Sequence, residues 1–183
     1  QGAAFILKIP LTLAIAPALI VRSGEERFAL PQDGIVEAHE IGQDGARLET
    51  TQGATVLVCA RGVLPARDLR DVLRIGPPPE ARQPATHCVV MKVGSTLFGA
   101  LVDDILEVVE IVVKPLPSKL ARIGMYSGVT VLGDGAALLI LDASGLAAAF
   151  GIEKTDGLRA FEAPIPDIAE PSPVVLFRCC GQR

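Results

Sequence analysis

Short apolar segments bounded by turn residues constrain the fold of this chain more than any other feature of its sequence. Segments of about five to eight residues rich in Val, Ile and Leu recur along most of the chain, and clusters of Gly, Asp and Pro separate them. Long stretches with the spacing of an amphipathic helix are nearly absent. The pattern therefore predicts an all-β fold.

The polar clusters between the apolar segments predict tight hairpins. Ser23-Gly24, Gln43-Asp44-Gly45 and Gly133-Asp134-Gly135 supply residues that accept positive φ, which favours antiparallel pairing of the flanking strands. The strands predicted in this way cover residues 3–9, 18–22, 27–30, 34–40, 46–49, 55–58 and 62–66, and then 86–93, 96–101, 104–114, 127–132 and 136–141.

Two short helices are predicted in the second half of the chain. The first covers residues 118–122 with Ser118 as its N-cap. The second covers residues 143–150, with Asp142 as its N-cap and Gly151 ending it.

An internal repeat relates residues 19–29 to residues 89–99. Both segments consist of an apolar strand, a Gly turn and a strand whose second residue is Phe, namely Phe28 or Phe98. The repeat predicts two similar barrels in tandem, joined across the Pro-rich residues 76–79.

Composition excludes several classes of protein. Hydrophobic residues make up 50% of the chain and charged residues 21%, which excludes disorder over most of its length. The net charge of −4, the absence of Trp and the single Tyr argue against a nucleic-acid partner. The most apolar stretch, residues 6–21, is broken by Lys8, Pro10 and Pro17, so we predict no membrane-spanning segment.

The cysteines are expected to be reduced thiols, because they show no Cys-x-x-Cys spacing. They are Cys59, Cys88, Cys179 and Cys180.

No residue pattern predicts catalysis, a metal or a cofactor. His39 is expected on a solvent-facing strand position and His87 at a strand start, neither with an obvious Asp or Cys arrangement beside it. Asp103 and Asp104 are consecutive on a strand, so they point to opposite faces and are expected at an exposed edge. No Gly-rich phosphate loop opens a helix.

Four stretches of the chain resemble the CheW-like regulatory domain of the chemotaxis histidine kinases of the CheA family. Residues 5–15 resemble the last strand of the kinase's ATP-binding domain and the junction that follows it. Residues 22–31 resemble the first hairpin of the regulatory domain, residues 61–65 its Arg-Gly-x-x-Pro strand, and residues 128–142 its closing hairpin. The resemblance covers about residues 1–150.

The resemblance implies the domain organisation and the fold. Residues 1–16 would be the end of the ATP-binding domain with its junction, and residues 17–152 a pair of SH3-like barrels. The expected subdomains cover residues 17–75 and 84–132, and a last strand and helix at 136–150 close the fold.

Beyond the regulatory domain, the sequence predicts a linker and the start of a further domain. Residues 153–173 are rich in Pro and poor in large apolar groups, which is typical of a linker. Residues 174–183 resemble the opening strand of the repeat, so a second CheW-like domain is expected to begin there.

The partners expected from the resemblance are the CheW adaptor, the cytoplasmic tip of the chemoreceptor and the adjacent kinase domain. The expected location is the cytoplasm, in membrane-bound receptor arrays but without direct membrane insertion. A positional mechanism is expected, in which receptor signals shift the barrels relative to the kinase domain about a hinge between Pro10 and Pro17.

The candidate coupling residues are Glu37, Arg61, Gly62, Gly133 and Asp134. Glu37 and Arg61 resemble an acidic and a basic position of the CheW family that influence kinase coupling. The plainer interpretation is that they form an exposed ion pair. The Gly133-Asp134 tip is expected first as a hairpin turn and second as a partner contact.

Two alternatives stay open at this point. One is a stand-alone adaptor of the CheW type, which would lack an ATP-binding domain upstream. The other is an aspartic-protease-like double barrel with Asp142 as its carboxylate, although Ala143 stands where that motif requires Thr or Ser.

Overall fold

The computed structural model describes residues 15–51 and 53–152, and within them the fold is all-β as predicted. Three short α-helices accompany the strands: α1 (Leu69–Leu73), α2 (Ser118–Ala121) and α3 (Ala143–Ala149). The strands are β1 (Ile15–Ser23), β2 (Glu26–Pro31), β3 (Ile35–Glu40), β4 (Arg47–Thr51), β5 (Ala54–Cys59), β6 (Gly62–Asp68), β7 (His87–Val93), β8 (Thr96–Val102), β9 (Asp104–Val112), β10 (Tyr126–Val131) and β11 (Ala137–Leu141).

The strands form two sheets, and each sheet contains one hairpin of the sequence repeat. The five-stranded sheet has the order β10-β11-β2-β1-β9, and the six-stranded sheet has the order β3-β7-β8-β6-β5-β4. Strands β3 to β6 follow the β1–β2 hairpin in sequence but lie in the sheet of the β7–β8 hairpin. Strands β9 to β11 follow the β7–β8 hairpin in sequence but lie in the sheet of the β1–β2 hairpin. The subdomains expected from the sequence, 17–75 and 84–132, are continuous stretches of chain. Each sheet, in contrast, contains strands from both ranges.

Equivalent pairings occur in the two sheets. Most neighbours are antiparallel, as the hairpin turns predict, but β11 runs parallel to β2 and β6 runs parallel to β8. Ile140 pairs with Ala29 in the first sheet, and Ala66 pairs with Gly99 in the second. Ala29 and Gly99 are the matching positions of the repeat, so the sequence repeat corresponds to a structural one.

Three apolar cores lie in and between the sheets. In β1, Ile20 belongs to the core of the five-stranded sheet, while Leu19 belongs to a central core shared by both sheets and by α1 and α3. In β7, Val90 belongs to the core of the six-stranded sheet and Val89 to the central core. Because both faces of β1 and β7 are buried, these strands are continuously apolar instead of alternating.

Helices α1 and α3 follow the two parallel-paired strands and begin with the same kind of cap. The side chain of Asp68 accepts a hydrogen bond from the backbone N–H of Arg70, and that of Asp142 accepts one from Gly145. The Asp142 cap confirms the prediction, and so does the end of α3 at Gly151, which has a φ of 73°. Helix α1 was not predicted from the sequence.

Helix α2 corrects one prediction. It begins at Ser118 itself, so the preceding residue, Pro117, occupies the cap position and no side chain caps the helix. Pro117 has an extended backbone, with a φ of −56° and a ψ of 143°, so the helical turn starts only at Ser118.

Several predicted features lie outside the described residues. They are the strand at 3–9, Pro10 of the proposed hinge, the linker at 153–173, and residues 174–183 with Cys179 and Cys180.

Candidate functional site

Glu37 and Arg61, both predicted as coupling residues, meet on the six-stranded sheet. Glu37 lies on β3, and Arg61 lies in the turn between β5 and β6, next to Gly62. The Nε atom of Arg61 is 2.8 Å from Oε2 of Glu37, and the two side chains are 47% and 25% exposed. Gly62 has a φ of 108°, a conformation that a residue with a Cβ rarely adopts. The pair is therefore half-buried rather than freely exposed.

The second carboxylate oxygen of Glu37 faces two other side chains. Oε1 lies 3.0 Å from Nε2 of His39 and 4.0 Å from Sγ of Cys59. His39 was expected on a solvent-facing position, but its side chain is only 19% exposed. Residues 37 and 39 point to the same side of β3, and that side meets the end of β5, which brings Cys59 to them.

Electrostatics keep Glu37 ionised. Burial raises the pKa of this carboxyl, but Arg61 and His39 together outweigh burial and hold the pKa below its ordinary value. Cys88, which pairs with His39 across β3 and β7, is fully buried, and burial raises the pKa of its thiol to about 12. Cys88 therefore stays protonated within the core at neutral pH.

Gly133 and Asp134 lie at the tip of the β10–β11 hairpin, on the five-stranded sheet. Asp134 Oδ1 accepts a hydrogen bond from the backbone N–H of Ala136 at 2.9 Å, and Oδ2 is 3.0 Å from Arg27 on β2. The Ala136 hydrogen bond and then Arg27 hold the pKa of Asp134 below its ordinary value. The five predicted residues thus form two groups, one on each sheet.

Exposed apolar side chains accompany the hairpin tip. Val131, at the end of β10, is 50% exposed and lines a surface groove together with Gly133 and Asp134. Val108 on β9 is 58% exposed. Two glutamates of β9 also line this groove, so the exposed Val131 side chain lies among carboxylates there.

A buried ion-pair network was missed in the sequence. Arg70 on α1 is 5% exposed, and its guanidinium lies 2.6 Å from Asp68 and 2.8 Å from Asp103. Asp103, expected at an exposed edge, is 14% exposed and also accepts a hydrogen bond from the backbone N–H of Gly24. The hydrogen bond to Asp68 outweighs burial and raises the pKa of Arg70. Only the tertiary fold brings Asp103 to Arg70, so no local pattern indicated this contact.

Asp142 and Pro17 have structural positions in this fold. The Asp142 carboxylate accepts a 2.7 Å hydrogen bond from the backbone N–H of Gly145 and so caps α3. This is the capping role predicted for Asp142, as distinct from the catalytic role in the protease alternative. Pro17 lies within β1, opposite Glu110 of β9.

The fold defines the class of protein as an all-β domain whose two sheets are consistent with a pair of SH3-like barrels. The model of the CheW-like domain family matches residues 17–150, and the chain belongs to this family.

Curated relatives of the chain include chemotaxis proteins named CheA and a sensor histidine kinase named CheAY. It is 32% identical over 148 residues to the chemotaxis protein CheA of Bacillus subtilis, covering 80% of this chain and 21% of the relative. It is 35% identical over 136 residues to the sensor histidine kinase CheAY of Helicobacter pylori, covering 74% of this chain and 17% of the relative. The chain thus spans about a fifth of the length of these relatives and matches their CheW-like domain.

A solved structure supports the fold independently. The scaffolding protein TtCheW from Thermoanaerobacter tengcongensis superposes with a TM-score of 0.51 at 15% identity, covering 70% of this chain and 90% of that one. In the part of the chain that the structure describes, no helix has the length and apolar character needed to cross a bilayer.

Proposed function

We propose that this chain is the regulatory, receptor-coupling domain of a chemotaxis histidine kinase. It binds the CheW adaptor and the chemoreceptor tip, and it controls autophosphorylation by a neighbouring kinase domain in cytoplasmic receptor arrays. The proposal is supported by the family match over residues 17–150 and by relatives that are themselves CheA kinases.

The observation that carries the binding part of the proposal is the surface groove beside the β10–β11 tip. Val131 leaves half of its side chain in water there, and Asp134 lines the same groove together with two glutamates of β9. Protein docking surfaces combine apolar contacts with polar and charged groups around them. We propose that Gly133 and Asp134 contact a partner there.

Glu37, Arg61 and Gly62 form the second proposed coupling site, on the other sheet. The half-exposed guanidinium of Arg61 is held by one oxygen of Glu37, so its remaining N–H donors are free to reach a partner's carboxylate. A signal that moves the barrels would then pass to the kinase through the connector at residues 10–17, the proposed hinge.

Calorimetric titration of this chain with the CheW adaptor of the same organism tests the proposal. Asp134→Lys is expected to weaken adaptor binding by about tenfold or more, since it reverses a charge within the groove. Glu80→Lys, on the exposed segment between α1 and β7, makes the same charge change away from the groove and should bind like the wild type. No saturable binding by the wild type at high concentration would overturn the proposal.

Kinase control requires the parent protein in reconstituted receptor arrays. Arg61→Glu is expected to reduce receptor control of autophosphorylation while basal autophosphorylation is kept. Residues 15–17 pair with β9, so the connector is replaced only at residues 10–14. A flexible replacement there should uncouple the kinase in the same way, and unchanged control would contradict the hinge. A stand-alone CheW-type adaptor remains the alternative, and an ATP-binding domain encoded upstream in the parent gene would exclude it.

A further inference from the structure

Three donor atoms of three chemical kinds converge beside the Glu37–Arg61 pair. They are Oε1 of Glu37, Nε2 of His39 and Sγ of Cys59, and all lie within 4.8 Å of one another. Two come from alternate positions of β3 and the third from the last residue of β5, so the backbone hydrogen bonds of the barrel hold all three in place. Such a carboxylate, imidazole and thiol set is the ligand chemistry that zinc prefers in proteins.

The imidazole of His39 gives an independent indication of a ligand. Its Nε2 atom is shielded from solvent, and within the described residues its neighbour is Oε1 of Glu37, 3.0 Å away, in a contact that does not meet ideal hydrogen-bond geometry. A shielded polar atom with a poorly aligned partner is destabilising, and native proteins rarely retain one without a role. A metal cation would accept the lone pair of this nitrogen and remove the cost.

The charges around the cluster suit a dication. Glu37 contributes a carboxylate, and Cys59 contributes a thiolate once its proton has left to solvent. Arg61 contacts Oε2, the oxygen that points away from His39 and Cys59, so it can stay in place when Oε1 turns to a metal. In that position Arg61 would orient the ligating carboxylate, as outer partners do in many metal sites.

The spacing requires only a small adjustment. Zinc holds its ligands at about 2.0–2.3 Å, so neighbouring donors in a tetrahedral site are about 3.3–3.8 Å apart. Oε1 and Nε2 lie slightly closer than that at 3.0 Å, and Oε1 and Sγ slightly farther apart at 4.0 Å. Nε2 and Sγ lie within 4.8 Å of each other, so the side chains have to rotate toward a common centre to bind the ion.

We propose that Glu37, His39 and Cys59 form a binding site for Zn²⁺ or a similar transition-metal cation, with the fourth coordination position open. The open position would take a water molecule or a side chain from a partner. The site goes beyond the coupling function, because it uses the oxygen of Glu37 that faces away from Arg61.

Titration with Co²⁺ tests the site directly. The reduced full chain is used with Cys179→Ser and Cys180→Ser, so that the terminal thiols contribute no ligands. Co²⁺ is expected to produce a thiolate-to-cobalt charge-transfer band and the visible bands of a tetrahedral ion, and Zn²⁺ should displace it. His39→Gln and Cys59→Ser are each expected to lower cobalt affinity by more than about tenfold, and Cys59→Ser should also abolish the charge-transfer band.

Matched controls separate ligation from a general effect of substitution. His87→Gln removes the other imidazole, and Cys88→Ala removes the neighbouring thiol; both should bind Co²⁺ like the wild type. Zn²⁺ should raise the urea midpoint of the wild type and of both controls but not of His39→Gln or Cys59→Ser. The cooperative urea transitions of these two variants without metal establish that they fold. Absence of the charge-transfer band in the wild type, or its survival in Cys59→Ser, would overturn the site. The test does not measure adaptor binding, so a negative result for the metal site leaves the proposed coupling function unaffected.

Discussion

Gly145 shows how closely the backbone segments of this fold approach one another. It lies in α3, and a Cβ at this position would overlap the backbone carbonyl of Gly124 and crowd Met125. The same loop is tied to the start of α3 by a 2.9 Å hydrogen bond from Asp142 N–H to the carbonyl of Met125. The glycine is required here by close packing rather than by backbone conformation.

Substitution of Gly145 should therefore destabilise the domain. Gly145→Ala is expected to lower the free energy of unfolding by about 2 kcal/mol or more, because the backbone of residues 124–125 has to move away from α3. Gly133→Ala is the matched control, since a Cβ there would meet no atom within 4 Å. Urea denaturation measures both, and an equal effect of the two substitutions would contradict the packing argument.

Asp134 makes a testable contribution to the pH dependence of stability through its hydrogen bond from the Ala136 N–H and its ion pair with Arg27. The pKa of Asp134 is lower in the folded state than in the unfolded chain, so the ionised carboxylate stabilises the fold above its unfolded pKa. This stabilisation is lost as the pH falls through the folded pKa, when Asp134 becomes protonated in both states.

Asp134→Asn should consequently lower the urea midpoint near neutral pH, and its difference from the wild type should shrink as the pH falls below the ordinary aspartate pKa of about 3.9. Asp33→Asn, which changes another exposed aspartate, serves as the control for net charge. A difference between Asp134→Asn and the wild type that persists in acid would show that the ionised carboxylate is not responsible.

At the scale of elements, Arg70 joins parts of the chain that are remote in sequence. Its guanidinium contacts Asp68 at the cap of α1, Asp103 in the β8–β9 turn and the carbonyl of Gln83 in the connecting segment. Asp103 in turn binds the β1–β2 turn at Gly24. One buried cation thus links α1 to both repeat hairpins.

Removal of this cation should be costly. Arg70→Ala is expected to destabilise the domain by about 3 kcal/mol, because it leaves the largely buried carboxylates of Asp68 and Asp103 without their partner. Arg67→Ala, at an exposed position on the neighbouring strand, should change stability little. If thermal unfolding found both variants equally stable, the network would be shown to contribute nothing.

Matching elements of the two repeats pack into the same central core. Phe28 and Phe98, which match in the two copies, both lie in the central core. Phe98 meets Phe150, the C-cap of α3, edge to face, with the ring centroids 5.2 Å apart. The two Asp-capped helices, α1 and α3, contribute Leu69 and Leu146 to the same core.

At the scale of the whole molecule, the exchange of strands makes the two barrels dependent on each other. The β1–β2 hairpin completes its sheet only with β9, β10 and β11, and the β7–β8 hairpin only with β3 to β6. Neither half of the sequence contains all the strands of either sheet.

Fragments covering residues 1–78 and 79–183 should therefore fail to fold alone. When mixed, they are expected to associate and recover cooperative unfolding, because each supplies the strands that complete the other's sheet. Circular dichroism and urea titration of the separate and mixed fragments measure this. Cooperative unfolding of either fragment by itself would contradict mutual dependence, and the intact chain under the same conditions is the control.

The sequence by itself determined the all-β class, the turn positions, the Asp142 cap, the repeat and, through family resemblance, the family to which the domain belongs. These features depend on local rules, since strand patterning, turn chemistry and capping act over a few residues. The strand exchange, the burial of Arg70 with Asp103, and the meeting of Glu37, His39 and Cys59 depended on tertiary structure. Their residues are distant along the chain, and only the pairing of β3 with β7 and of β6 with β8 brings them together, because non-local contacts are set by how whole sheets bury their apolar faces.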